Sequence, residues 1–211
     1  MKNKNASLLI LLGLLLWAGA AGLVGYNLNA QRRGGEVSEA VLEQLVPMIP
    51  PTVEEYIVVG EGEEALVEQV IPDYVLDPER EMPTETVESW DYIGILEIPE
   101  LGITLPVIAN WSYPALQVSP CRYTGSAYQN DLVIAAHNYT THFGRLPNLS
   151  AGSVIRFRDM DGNQFNYEVV ETEILQPTAI EEMVTGDWDL TLFTCTIGGR
   201  TRFTVRCLRQ E

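Results

Sequence analysis

The sequence has few of the side chains that bind nucleic acids or metal ions. Its 211 residues include 13 Lys and Arg against 29 Asp and Glu, which gives a net charge of −16. No cluster of Lys and Arg with interleaved aromatic residues is present, and a phosphate backbone would be repelled. The 2 histidines and 3 cysteines show no zinc-type spacing. We therefore expect no nucleic-acid partner, no metal and no other cofactor.

One long apolar run lies at the N-terminus. Residues 6–26 are uncharged and mainly apolar, and a helix of this length crosses a bilayer core of about 30 Å. Lys2 and Lys4 favour a cytoplasmic N-terminus. Residues 18–20 (Ala-Gly-Ala) resemble a signal-peptidase site, but the apolar run continues past them, which favours a retained anchor over a cleaved signal peptide. We predict that residues 1–28 are a cytoplasmic tip and a single membrane span, with the rest of the chain outside the cytoplasm.

Residues 29–88 form an acidic, low-periodicity segment. Fifteen of the 29 carboxylates lie there, and such runs often remain disordered. We predict a solvated spacer, with the alternative that residues 71–83 fold over the functional face of the following domain as a lid. Two short patches are compatible with helical turns, namely Val41-Leu42-Leu45 and Ala65-Leu66-Val70.

The remaining residues, 89–211, contain short β-type runs separated by turn residues. Asp161-Gly162 lies between two alternating runs and predicts a hairpin, because Gly tolerates the positive φ of a primed turn. Short, evenly spaced strands favour closure, which leaves few unpaired edges. We predict an all-β domain, a closed and mainly antiparallel barrel of about seven or eight strands with short helical turns. The seven runs are Tyr92–Ile98, Ile103–Ile108, Asp131–Ala136, Val154–Arg158, Phe165–Leu175, Leu190–Cys195 and Thr201–Leu208.

A thiol at the end of an apolar strand is the strongest functional signal. The run Thr191-Leu192-Phe193-Thr194-Cys195 ends in this thiol, and Arg202 follows seven residues later. A nearby cation lowers the pKa of a thiol and so favours the nucleophilic thiolate, and a guanidinium carries a fork of donors suited to an oxyanion. Strand alternation places Phe203, Val205 and Cys207 in the core, with Arg202 and Arg206 on the opposite face.

Two histidines are candidates for an accompanying base. His137 ends an apolar run and is followed by Asn138, so it lies where a strand gives way to a loop, a common position for catalytic side chains. His142 is interpreted as a loop residue. A Cys, a His and an Arg at three strand ends indicate a convergent site.

The other two cysteines have two interpretations. Cys121 and Cys207 are either partners in a disulfide or two free thiols. We favour the second, with Cys207 in the core and Cys121 in a loop, because buried free cysteine is common.

These motifs resemble the sortases, membrane-anchored cysteine transpeptidases of Gram-positive bacteria. The family pattern Thr-Leu-x-Thr-Cys, with an Arg on the next strand, is matched by Thr191–Cys195 and Arg202. The family histidine at the end of an apolar strand is matched by His137 with Asn138. The resemblance covers residues 90–208 and includes two further runs, Phe143-x-x-Leu146-x-x-Leu149-x-x-Gly152 and Asp91-Tyr92-Ile93-Gly94-Ile95-Leu96-Glu97-Ile98-Pro99.

The sequence departs from the family pattern at three places. Ala136 stands where the family usually has Gly. Arg200 competes with Arg202, and we prefer Arg202 because it begins a run that looks like the family's last strand. The short connection between Leu175 and Leu190 lacks room for the inserted helix of class B, so classes C and D look closer.

The resemblance implies a two-step acyl transfer. Sortases cleave a Leu-Pro-x-Thr-Gly-like signal between Thr and Gly, hold the Thr acyl group as a thioester, and pass it to an amine. Cys195 would be the nucleophile, His137 the acid and base, and Arg202 the oxyanion group. Thr194, Ala136 and Asn138 would contact the substrate.

The implied partners are sorting-signal-bearing surface proteins or pilins, together with the membrane. The amine acceptor would be a lipid-linked peptidoglycan precursor or a pilin lysine. The role would accordingly be cell-wall anchoring or pilin polymerisation. Two alternatives stay open: a hydrolytic cysteine peptidase, and a non-enzymatic, membrane-tethered barrel that binds peptides.

Overall fold

The computed structural model describes residues 4–51 and 71–210. It begins with a single long helix, α1 (Lys4–Leu45), which is followed by a 3-10 turn, Val46–Met48. The N-terminal part of this helix is long and apolar enough to cross a membrane, and its apolar side chains are exposed. The predicted helical patch at residues 65–70 and the first three residues of the predicted cytoplasmic tip lie outside the described residues.

Nine strands form one sheet in the described part of the chain. The seven predicted strands are all present with nearly the expected bounds. Two very short strands, Glu85–Val87 and Cys121–Thr124, were not predicted. One short helix, α2 (Asp73–Leu76), precedes the first strand, and two others, α3 (Tyr113–Val118) and α4 (Ile180–Val184), lie between strands. The strands are β1 (Glu85–Val87), β2 (Trp90–Ile98), β3 (Ile103–Ile108), β4 (Cys121–Thr124), β5 (Leu132–Ala136), β6 (Val154–Asp159), β7 (Gln164–Leu175), β8 (Leu190–Cys195) and β9 (Arg202–Gln210).

The sheet closes on itself. The strand order is β1-β2-β3-β4-β5-β8-β9-β7-β6, and an additional pairing between β2 and β6 joins its two ends. Strands β2 to β9 therefore form an eight-stranded barrel. The pairs β3–β4 and β5–β8 are parallel and the others are antiparallel. The predicted closed, mainly antiparallel barrel is confirmed.

Apolar side chains at alternate positions of the strands fill the barrel interior. On β9, Val205 and Cys207 are fully buried in the main core, and Phe203 packs against it, as the alternation predicts. The Asp161-Gly162 turn joins β6 to β7 as expected, with Gly162 at φ 85°. A Cβ at Gly162 would lie 2.6 Å from the backbone oxygen of Pro50, so this turn is in close contact with the segment that follows α1.

Helix α1 continues well beyond its apolar N-terminal part and packs against the barrel. Val41, Leu45 and Ile49 are buried in a second apolar cluster, together with Tyr92 and Ile108 from the outer face of the barrel. The predicted helical turn at residues 41–45 is thus part of a long helix. A solvated spacer beginning at residue 29 was expected, and the described residues differ from it because these side chains recur at helical spacing and bury one face.

Tyr74, in the segment 71–83, lies at the end of the barrel remote from Cys195. Tyr74 stacks on Tyr128 at 4.9 Å between ring centroids and accepts a hydrogen bond from Nη2 of Arg209 at 3.0 Å. Arg209 is seven residues beyond Arg202 on β9, or about 23 Å at 3.3 Å per residue. None of the described residues 71–83 lines the pocket around Cys195. Residues 79–82 line a separate pocket together with Trp111 and Tyr123, which also line the Cys195 pocket, so the lid alternative stays a prediction.

The three cysteines are all free. Cys121 lies in β4, not in a loop, and both Cys121 and Cys207 are buried. Burial raises the pKa of the Cys121 thiol to about 12, and burial also raises the pKa of the Cys207 thiol. Both groups therefore remain protonated at neutral pH and are poor nucleophiles.

Candidate active site

Three adjacent strand ends bring His137, Cys195 and Arg202 to one edge of the barrel. β5 and β8 run parallel with Ala136 opposite Thr194, so the next residues, His137 and Cys195, emerge side by side. β8 and β9 run antiparallel with Cys195 opposite Arg202. The register of two strand pairs is therefore sufficient to assemble the thiol, the imidazole and the guanidinium.

Arg202 and Arg200 differ in position. Arg202 is half-buried and lines the same pocket as His137 and Cys195. Its Nη1 donates to the backbone oxygens of Gly199 and Thr201, both at 3.2 Å, which holds the side chain beside the β8–β9 turn. Arg200 lies within that turn, is exposed and does not line the pocket. The β8–β9 register thus places Arg202, and not Arg200, opposite the thiol.

The expected substrate-contact residues occupy different positions. Thr194 and Ala136 line the pocket but are largely buried, and the Thr194 hydroxyl donates to the Ala136 carbonyl at 2.8 Å. This bond ties together the strand ends that carry Cys195 and His137. Asn138 faces a second opening on the other side of Cys195.

His137 is half-buried, and its ring lies against that of Tyr139. Their ring centroids are 4.9 Å apart with an interplanar angle of 32°. Burial lowers the pKa of His137 below its ordinary value of 6.5, because desolvation disfavours the charged imidazolium. The ring is therefore neutral at pH 7 and able to accept a proton.

The pocket beside Cys195 has a volume of about 210 Å³ and mainly apolar walls. One wall is aromatic: Trp111 lies 5.5 Å from Tyr123, and Tyr123 lies 5.3 Å from Phe193, between ring centroids. The facing wall is formed by α4 and the residues before it, including Ile180 and Met183. Ile180 and Met183 were not predicted as site residues, because they come from a short helix without a distinctive pattern.

Arg206 supports the α4 wall from beneath. It is only 2% exposed, and its guanidinium donates to the Glu173 carboxylate at 2.7 Å and to the Thr191 hydroxyl at 2.9 Å. It also donates to the backbone carbonyls of Met183 and Glu182. Strand alternation correctly predicted that Arg206 lies on the outer face of the barrel. This part of the face is covered by the β7–β8 connection and is not solvated.

A second opening reaches Cys195 from the opposite side. It has a volume of about 830 Å³ and is bordered by Asn138 and Tyr139 on one side and by the β8–β9 turn on the other. Asn27 and Gln31 of α1 complete its lining. The thiol is therefore accessible from two directions, one of them beside the end of the apolar segment of α1.

His142 lies in the loop after β5, as interpreted from the sequence, but it is not exposed to solvent. It is fully buried, and its Nε2 lies 3.3 Å from the Ser38 hydroxyl of α1. Burial lowers the pKa of His142 to about 4. Sequence reasoning missed this position because its surroundings come from a helix more than a hundred residues away in the chain.

Comparison with known proteins identifies related sequences and folds. A family model described as Sortase domain matches residues 96–210. Sortase D of Bacillus subtilis (strain 168) is 29% identical over 112 residues, a match that covers 51% of this chain and 56% of that protein. The chain thus spans little more than half the length of this curated relative.

Two solved structures share the fold. The X-ray structure of Clostridium perfringens sortase C with the C-terminal cell wall sorting motif has 25% identity and a TM-score of 0.52, covering 60% of this chain and 74% of that one. A Clostridium perfringens Sortase D5 transpeptidase has 18% identity and a TM-score of 0.59, covering 83% and 99%. The second likeness concerns the fold alone.

Proposed function

We propose that this chain, which belongs to the sortase family, is a membrane-anchored cysteine transpeptidase that cleaves a Leu-Pro-x-Thr-Gly-like sorting signal between Thr and Gly. Residues 1–28 would hold it in the membrane, and residues 89–211 would form the catalytic domain outside the cytoplasm. The observation that carries the proposal is the register that places Cys195 opposite Arg202 and beside His137.

The first half-reaction would form a thioester. The Sγ of Cys195 attacks the carbonyl carbon of the signal's Thr, and neutral His137 accepts the thiol proton. Arg202 stabilises the negative charge that develops on the carbonyl oxygen. The C–N bond then breaks, and His137 passes its proton to the leaving glycine nitrogen.

The apolar pocket suits the acyl side of such a signal. Its aromatic wall and its α4 wall meet beside Cys195, and a Leu-Pro pair offers apolar surface of matching character. The related Clostridium perfringens sortase C, solved with a C-terminal cell wall sorting motif, supports a substrate of this class. We infer that Ile180 and Met183 contact the signal upstream of the cleaved bond.

The second half-reaction needs an amine, which the second opening would admit. An incoming amine attacks the thioester carbonyl, His137 takes one of its protons, and the thiolate leaves with the acyl group now in an amide. Asn27 and Gln31 border this opening directly after the apolar run of α1. That location favours an acceptor held at the membrane surface, such as a lipid-linked peptidoglycan precursor, and hence anchoring; a pilin lysine is the alternative.

The proposal is tested with the full chain in lipid nanodiscs and a Leu-Pro-x-Thr-Gly peptide, with and without triglycine. Mass spectrometry should detect a new Thr–Gly amide product. Cleavage that always ends in the free Thr acid would identify a hydrolytic peptidase instead. Peptide binding without turnover, unchanged by Cys195→Ala, would identify a non-enzymatic barrel. Cys121→Ala, which removes a buried thiol away from the pocket, is the matched control and should retain turnover.

A further inference from the structure

Helix α1 makes unusually close contact with the loop that follows His137. A Cβ added at Gly34 would lie 3.3 Å from Cε1 of His142 and 3.4 Å from Cδ2 of Tyr139. One added at Gly35 would lie 2.9 Å from Cγ2 of Thr141. A larger residue at either position would require the loop side chains or the helix to shift, so this glycine pair allows the helix backbone to lie directly against the loop.

Polar contacts fix the register of this packing. The Gln31 side-chain oxygen accepts hydrogen bonds from the backbone N–H of Thr140 at 3.3 Å and from its hydroxyl at 3.1 Å. The Thr141 hydroxyl donates to the Gln31 backbone oxygen at 3.2 Å. One residue of the helix thus holds two consecutive residues of the loop.

Ser38 and His142 form a buried contact one helical turn beyond Gly34. The Ser38 hydroxyl donates to the backbone oxygen of Val118 at 3.0 Å, so its remaining lone pairs can accept from Nε2–H of His142 at 3.3 Å. His142 stays neutral because its pKa is about 4. In that tautomer the neutral ring completes this contact without placing a charge in the interface.

The loop then links α1 to His137 through two pairs of rings in tilted contact. The centroid of His142 lies 5.5 Å from that of Tyr139, and Tyr139 lies 4.9 Å from His137. The backbone closes the loop, because Phe143 N–H donates to the His137 carbonyl at 3.2 Å. The rings of His142 and Tyr139 thus separate α1 from His137.

We propose that residues 31–38 of α1 are a positioning element for His137: the helix seats His142 and Tyr139, and Tyr139 sets the orientation of the His137 ring. This inference rests on the proposed function only for the catalytic role of His137. Small errors in the placement of a reacting group can cost about 100-fold in rate. The helix that would anchor the protein in the membrane would thereby affect catalysis as well as the location of the protein.

A purely structural role for the helix predicts something different. If α1 only stabilises the barrel through Val41 and Leu45, separating Gly34 from the loop would lower stability and leave the folded enzyme's His137 unaffected. The discriminating measurement is therefore made on His137 itself. The chain has 2 histidines, so ¹³Cε1-histidine labelling should yield two NMR resonances, assigned with His142→Gln.

The experiment compares Gly34→Leu with Gly25→Leu in the full chain in nanodiscs. Gly25 is a matched control in the same helix, with nothing within 4 Å of an added Cβ. Gly34→Leu should move the His137 resonance and lower kcat at least about tenfold while KM stays within about twofold; Gly25→Leu should change neither. A Gly34→Leu protein with the wild-type His137 resonance would overturn the inference.

A milder variant covers the case in which Gly34→Leu fails to fold. Ser38→Ala removes the hydroxyl that His142 contacts and should move the resonances of both His142 and His137. A change confined to His142 would contradict transmission through Tyr139. Because these resonances are observable without turnover, the test separates failure of this inference from failure of the proposed transpeptidase activity.

Discussion

Nη1 of Arg206 donates a hydrogen bond of 3.0 Å to the backbone carbonyl of Met183. This contact links β9, the strand that begins with Arg202, to α4, which forms one wall of the Cys195 pocket. The proposed oxyanion group and the proposed substrate wall are therefore held by a common strand. A guanidinium suits this role because its donors point in several fixed directions within one plane.

Replacing Arg206 should weaken both folding and substrate binding. Arg206→Met leaves the carbonyls of Met183 and Glu182 without their donor, and we expect a loss of about 2 kcal/mol in the free energy of unfolding. KM for a sorting-signal peptide should rise more than kcat falls, because the α4 wall loosens while Cys195 keeps its surroundings. Urea unfolding and steady-state kinetics measure the two effects.

Arg156→Met is the matched control for this prediction. Arg156 pairs with Glu97 at 3.4 Å, and both side chains are 43% exposed. Ion pairs of this kind contribute less than about 1 kcal/mol. Equal losses of stability in the two variants would show that Arg206 does not hold the wall.

Conservative replacement of the two candidate arginines should separate their roles. Arg202→Lys keeps the charge but removes the planar fork opposite Cys195, so kcat/KM should fall by about 100-fold. Arg200→Lys should remain near the wild-type value, since Arg200 is exposed and outside the pocket. The reverse ranking of the two variants would transfer the oxyanion role to Arg200.

The buried His142 should make folding stability depend on pH. Its folded-state pKa of about 4 lies below the ordinary 6.5, so the unfolded chain binds the proton more tightly. The neutral ring's contribution, roughly 3 kcal/mol, is complete above pH 6.5 and is lost as the pH falls towards 4. Urea titrations across this range should show a flatter pH dependence for His142→Gln. An identical slope in both proteins would contradict the burial of a neutral His142.

Replacement of Tyr74 distinguishes a packing role of residues 71–83 from a role as a lid. Tyr74→Ala removes contacts with Tyr128, Phe165 and Arg209, so stability should fall by about 1 to 2 kcal/mol. Peptide turnover by the folded enzyme should not change, because these contacts lie at the end of the barrel remote from Cys195. A faster turnover would instead support the lid hypothesis for residues 71–83.

The β-strands were largely predictable because each extends over several residues with alternating burial and ends at a turn signal. β1 and β4 were missed because three or four residues are too few to show alternation. Their places depend on pairing with neighbours, as Cys121 on β4 does with Ala135 on β5. Periodicity within one segment carries no information about such pairings.

The continuation of α1 was missed for a different reason. The face that contacts the barrel and the His137 loop includes Gln31, Gly34, Ser38, Val41 and Leu45, at helical spacing. The first three are not apolar, so a search for apolar periodicity does not detect them. They are suited to this face because close approach and hydrogen bonding, not apolar area, hold the helix there.

Local patterns alone determined the apolar N-terminal segment, the seven longer strands along the chain and the placement of His137 and Cys195 at strand ends, because these features depend on neighbours along the chain. Tertiary structure decided which arginine lies opposite Cys195, how Arg206 is buried and how α1 reaches the loop beside His137. Those relationships join residues far apart in sequence, and pairing register and close packing set them. The end of a predicted strand indicates where a side chain lies, and pairing with the neighbouring strand determines which residues that side chain contacts.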